Sequence, residues 1–98
     1  MITEKVKPMM IQKEAIAHLM FPKAEILNSR TEIDKRNEEL SKALVLGNTE
    51  HIKVRILFED IEGQKQVETT IWGLTASEVI LKQNVVLPIN RIVSIEIL

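Results

Sequence analysis

The order of apolar and polar positions divides the chain into a helical first half and a second half of short strands. Residues 9–20 carry Ile11, Ala15 and Leu19 at spacings of four, with Ile16 and Met20 beside them, the stripe of an amphipathic helix. Pro8 suits the first turn of such a helix, where its missing N–H does no harm. Pro22 ends it, because the residue before a proline resists the α region. Residues 1–7 read as a loose leader, so residues 1–28 are assigned to a leader and a first helix.

A second, capped helix is expected over residues 29–47. Ser29 and Glu32 have the S-x-x-E spacing of a capping box, in which each side chain satisfies an N–H that the first turn leaves unpaired; Thr31 with Asp34 is a competing cap. Ile33, Leu40 and Leu44, with Ala43 alongside, fall on one face. Glu32 with Arg36 and Glu38 with Lys42 are i,i+4 pairs in the favourable order. Gly47 and Asn48 tolerate the left-handed conformation that stops a helix.

After Gly47 the period changes from 3.6 to 2. Ile52, Val54, Ile56 and Phe58 alternate with His51, Lys53, Arg55 and Leu57, the pattern of a half-buried strand. A tight turn over residues 60–63 places Gly63 where positive φ is needed. Residues 64–74 return as a second strand, with Gly73 marking a bend or bulge. Thr75, Ala76 and Ser77 turn the chain into a third strand over residues 78–82, and Gln83 and Asn84 form a two-residue turn into a fourth over residues 85–87. Pro88 interrupts pairing because it has no N–H to donate, and residues 93–98 form a fifth strand.

Five short strands with tight turns suggest closure, because a closed sheet has no exposed edges. The segment from Leu87 to Ile92, Leu-Pro-Ile-Asn-Arg-Ile, resembles the short connection between the last two strands of SH3-like and Sm-like barrels. The order of one helix and then five strands is closer to the Sm arrangement, although the paired glycines of Sm proteins are absent. The expected fold class is α+β, mainly β: N-terminal helices followed by a small five-stranded antiparallel SH3-like or Sm-like barrel, or a strongly bent sheet, over residues 51–98. With 98 residues there is enough chain for one modest core, so residues 1–98 are read as a single domain.

A second resemblance covers roughly residues 30–97. Arg36-Asn37-Glu38-Glu39-Leu40, Ala43-Leu44, Gly47-Asn48, Lys53-Val54 and Phe58-Glu59-Asp60 carry its first part. Its second part is Val67-Glu68-Thr69-Thr70-Ile71-Trp72, Ile80-Leu81-Lys82 and the Leu87–Ile92 connection. Together they resemble a family of short uncharacterised bacterial proteins, chiefly from Bacteroidetes. The resemblance implies that helix and strands form one unit, and it carries no assigned activity.

Composition narrows the chemistry. Phe21, Phe58 and Trp72 are the only aromatics, so the core must be mainly Ile, Leu, Val and Met. Residues 1–50 hold eight basic and eight acidic side chains, and residues 51–98 hold five and six. Such balance argues against non-specific nucleic-acid binding, which draws its affinity from neutralising phosphates. The absence of cysteine removes disulfides, thiolate catalysis and cysteine-based zinc sites. No apolar run has signal-peptide or membrane-spanning length, so a cytoplasmic protein without a membrane partner is expected.

No constellation fixes a reaction. His18 and His51 lie in different elements without metal-ligand spacing. Glu59, Asp60 and Glu62 read as a solvated hairpin turn, and Thr69, Thr70 and Ser77 have no base placed beside them. No catalytic, cofactor-binding or metal-ligating residue is therefore assigned, and no cofactor is expected. The candidate partner or nucleic-acid surface is Lys53, Arg55, Trp72, Lys82 and Arg91. Trp72 offers a stacking platform if it is exposed, whereas the bend at Gly73 or the capped helix would otherwise cover it. Arg91 has a second reading, bonding to backbone carbonyls to hold the turn around it. Two functions follow. The first is a non-enzymatic, self-associating interaction module of the bacterial cytoplasm, suggested by the methionine-rich first helix and the apolar last strand. The alternative is a small nucleic-acid-binding barrel using Trp72 and the scattered Lys and Arg side chains.

Overall fold

Ser29 starts the α-helix with half of the expected capping box: its hydroxyl oxygen accepts a hydrogen bond from the Glu32 N–H at 3.1 Å, whereas the Glu32 carboxylate makes no return bond to the Ser29 N–H. The structure is a computed structural model that describes residues 8–98; the leader expected over residues 1–7 lies outside the described residues. Helix α1 spans Arg30–Glu50 and buries Arg36, Leu40, Ala43 and Gly47 on one stripe. It does not stop at Gly47. The left-handed residue is His51, with φ 56°, whose N–H bonds to the Gly47 carbonyl at 3.2 Å. Gly47 serves close approach instead. A Cβ there would lie 2.6 Å from the Ile71 carbonyl oxygen and 3.1 Å from the Thr70 methyl.

The strands over residues 54–97 follow the period-2 reading closely. β2 (Val54–Asp60) and β3 (Gly63–Thr69) form an antiparallel hairpin in which Val54, Ile56 and Phe58 point inward. β4 (Ile71–Leu74), β5 (Glu78–Leu81) and β6 (Val85–Pro88) form a meander. The Thr75 hydroxyl oxygen accepts from the N–H groups of Ser77 and Glu78 and closes the first turn of that meander. Gln83 and Asn84 both have positive φ, 64° and 63°, which matches the twist of a two-residue hairpin turn. A 3-10 turn, Ile89–Arg91, leads into β7 (Ile92–Ile97), which pairs with β2.

Two expectations are corrected. Residues 9–20 form no α-helix: Met9–Ile11 is a short strand, β1, parallel to β3, and Lys13–His18 is a 3-10 helix. A helix this short is marginal in water, while the open edge of β3 offers paired backbone partners at once. The apolar stripe is still used, since Ile16 enters the core and Ile11 and Leu19 pack against it. The strands also do not close on themselves. The described strands number seven and form two sheets, β1-β3-β2-β7 and β4-β5-β6, with no closed barrel. The strand expected over residues 64–74 is broken at Thr70, whose carbonyl accepts from the Lys82 N–H at 3.0 Å. The pairing of β4 with β5 is irregular between Ile71 and Gly73, the bend foreseen at Gly73. The fold is thus α+β and mainly sheet, with its apolar core, aliphatic apart from Phe58, between the two sheets and α1.

Buried charges tie the irregular segments down. The Arg36 guanidinium, 3% exposed, makes two 2.7 Å bonds to the Glu25 carboxylate and one of 3.2 Å to the Ile92 carbonyl. The pair expected between Arg36 and Glu32 gives way to this buried partner. The hairpin acid Asp60 is buried rather than solvated. One of its oxygens accepts from the Glu62 and Gly63 N–H groups, and the other from the Lys65 ammonium at 2.6 Å.

Two outcomes are expected. Alanine in a helix interior normally gains about 1 kcal/mol over glycine. Gly47→Ala should instead destabilise the fold by about 1–3 kcal/mol, because the methyl meets the Ile71 carbonyl. Urea unfolding checks the sign, and a gain would show that α1 and β4 are not in contact. Acid should also destabilise the protein. Hydrogen bonds from Arg36 hold the Glu25 carboxyl below its ordinary pKa, against an opposing push from burial. Burial pushes Asp60 up, but Lys65 and the two turn N–H groups outweigh it and leave a lowered pKa. Both groups bind protons more tightly when unfolded. Their stabilisation is complete above the ordinary carboxylate range and is lost as pH falls through roughly 4 and below. Urea midpoints between neutral and strongly acidic pH measure this, and Glu25→Gln should flatten the slope.

Candidate functional site

The five candidate residues separate into two that the fold consumes and three that stay accessible. Arg55 is the middle of a charged rung across three strands. It reaches Glu68 of β3 at 2.6 and 3.0 Å and Glu96 of β7 at 3.4 Å, both directly opposite it in register. Arg91 is buried: its Nε donates to the Glu59 carbonyl at 3.1 Å and one Nη to the Ala24 carbonyl at 2.8 Å. It holds the turn, the second of its two readings. Trp72 lies on the open side of β4 and is 45% exposed, so neither the bend nor α1 covers it.

Lys53 and Lys82 are brought together by the break at Thr70. The pairing of Val54 with Thr69 puts Lys53 level with Thr70 on one side of the strand. The pairing of Ile71 with Leu81 puts Lys82 level with Thr70 in the other sheet. Continuing β1 alongside β3 brings Gln12 and Lys13 level with Glu68 and Thr69. Three lysines from three separate segments therefore border one small opening, of about 170 Å³, that Thr69 and Thr70 also line. Lys13 was missed because residues 9–20 read as a helix, and nothing in the sequence signals its place here. Lys13 reaches Glu14 at 2.6 Å. Lys53 and Lys82 have no ion-pair partner among the described residues.

The outer edge of β7 is the other exposed feature. Among the described residues β1 and β7 are outermost in one sheet and β4 and β6 in the other, and they differ in how they are protected; β4 has four residues and carries the irregularity between Ile71 and Gly73. β1 has three residues, and β6 ends in Pro88, which cannot donate to an incoming strand. β7 has six residues and neither lysine nor proline. A bulge at Val93 disturbs its beginning, which leaves residues 94–97 regular, with Ile97 and Leu98 about half exposed.

The described residues contain no cluster of three or more His, Asp or Glu side chains suited to a metal ion. None of their helices is long and apolar enough to cross a membrane. Comparisons with protein-family models, curated proteins and solved structures find no match to this chain.

The two arginines should behave differently from the two lysines on substitution. Arg91→Met takes a buried guanidinium's donors from two partly buried carbonyls and should cost about 2–4 kcal/mol in urea unfolding. Lys53→Ala and Lys82→Ala should each stay within about 0.5 kcal/mol of the parent. A large loss from either lysine would mean that it holds the fold together.

Proposed function

We propose that the chain is a non-enzymatic interaction module that self-associates through the outer edge of β7. The carrying observation is the regular run at residues 94–97, which lies beyond the bulge at Val93 and the Arg36 bond to Ile92, has Glu96 as its one charge, and is continued by exposed Leu98. Such an edge presents unsatisfied backbone donors and acceptors that a second strand can pair. A second copy fits it best: two β7 edges related by a two-fold axis pair antiparallel, and two-fold dimers are the commonest assembly. The non-enzymatic part of the reading draws on the buried charges. Glu25, Arg36, Asp60, Lys65 and Arg91 are each engaged in holding segments of the fold together.

The finer architecture we favour is an open SH3-like or Sm-like unit. Its support is the helix ahead of the strands, the strand that changes sheets at Thr70 and the 3-10 turn between β6 and β7. Placement in the bacterial cytoplasm rests on the cysteine-free sequence and on the resemblance to short bacterial proteins. A second reading, binding of single-stranded nucleic acid, is favoured by the exposed Trp72, on which a base can stack.

Light scattering after size exclusion should give the parent chain a dimer mass that falls with dilution. Ile97→Lys combined with Leu98→Lys should give a monomer with unchanged circular dichroism. A parent that is monomeric at every concentration removes the proposal. Quenching of Trp72 fluorescence by a single-stranded oligonucleotide, lost steeply with salt, would move the conclusion to the second reading.

A further inference from the structure

We propose that the opening at Thr69 and Thr70 is a binding site for a tetrahedral oxyanion of the phosphate class, either free phosphate or the head of a phosphomonoester. The chain as a whole carries a formal charge of -1, yet three of its thirteen basic residues border one opening of about 170 Å³. The carboxylate bordering the same opening, Glu68, is turned to account elsewhere by two bonds from Arg55. Lys13 is shared with Glu14, so the uncompensated charge belongs to Lys53 and Lys82. Like charges held together by topology repel, and an anion between them converts that repulsion into attraction.

Geometry adds selectivity. The lysines come from the segment after β1, the residue before β2 and the residue after β5, so they surround the opening rather than line one flank. Thr69, Thr70 and Gln12 also line it and bring hydroxyl and amide groups, a chemistry that donates to oxyanion oxygens. The volume suits a compact oxyanion with some of its water. It falls below the ~300 Å³ at which pockets for drug-sized ligands begin. The break that creates the opening is also what separates the two sheets, so the site is built into the topology. The site does not involve the β7 edge and stands apart from the self-association reading.

The test is isothermal titration and thermal unfolding of the full chain with inorganic phosphate and with phenyl phosphate, against sodium chloride at matched ionic strength. Saturable binding and a rise in unfolding temperature are expected for the parent. Binding should weaken at least tenfold in the Lys53→Ala, Lys82→Ala double variant, while Lys23→Ala, Lys35→Ala should bind like the parent. Amide chemical-shift changes on phosphate addition should centre on Thr69, Thr70 and Lys82. Stronger binding of phenyl phosphate would identify the source as an organic phosphate, and equal binding would identify it as the free ion. Equal responses of the parent and the Lys53, Lys82 double variant, or a response that chloride reproduces, would overturn the assignment.

Discussion

A guanidinium buried against a carboxylate joins three parts of this fold. Arg36 sits on the core-facing stripe of α1, Glu25 belongs to the irregular segment before the helix, and the Ile92 carbonyl opens β7. Removing a guanidinium from water costs several kcal/mol unless its donors are well matched. Here the match is a two-bond fork onto the carboxylate and a third bond to backbone. The segment over residues 19–29 has no regular structure of its own. It is fixed by such bonds: Arg36 to Glu25, Arg91 to the Ala24 carbonyl, and the Ile26 N–H to the Asn90 carbonyl. The helix is docked through these contacts as well as through its apolar stripe, and β7 starts where Arg36 meets it.

The second constraint is the break at Thr70. A strand of this length could have run on as one continuous ribbon within a single sheet. Instead its carbonyl turns to Lys82, the chain changes sheets, and α1 closes over the junction at Gly47. One consequence is an apolar core enclosed by two small sheets and a helix. Another is an opening where three segments end beside one another. A third is that each sheet keeps two outer strands, of which β7 alone is both longer than four residues and free of proline.

Local features were legible in the sequence because each is settled by neighbours in the chain. The Ser29 cap, the turns at Gly63, Thr75 and Gln83, the inward series Val54, Ile56 and Phe58, and the bend at Gly73 all rest on spacing within a few residues. What escaped depends on partners far away. Residues 9–20 have a helical stripe, but the open edge of β3 was invisible without its register. Glu32 is the natural i,i+4 partner of Arg36, but burial of Arg36 selects Glu25 instead. Gly47 looks like a stop signal and is in fact a contact with Ile71. Of the candidate surface, Lys53 and Lys82 do converge, Arg55 and Arg91 are consumed by the fold, and Lys13 could be placed only once β1 was known.

The central claim is that Arg36 and Glu25 act as a unit. A double-mutant cycle with Arg36→Met and Glu25→Gln in urea unfolding tests it most directly. Glu25→Gln leaves a 3% exposed guanidinium without its counter-charge, and Arg36→Met strands a carboxylate that keeps 27% of its side-chain surface in water, so the first loss should be the larger. The double variant should lose less than the two singles together, with a coupling of about 2–3 kcal/mol. Additive losses, with coupling near zero, would contradict the account.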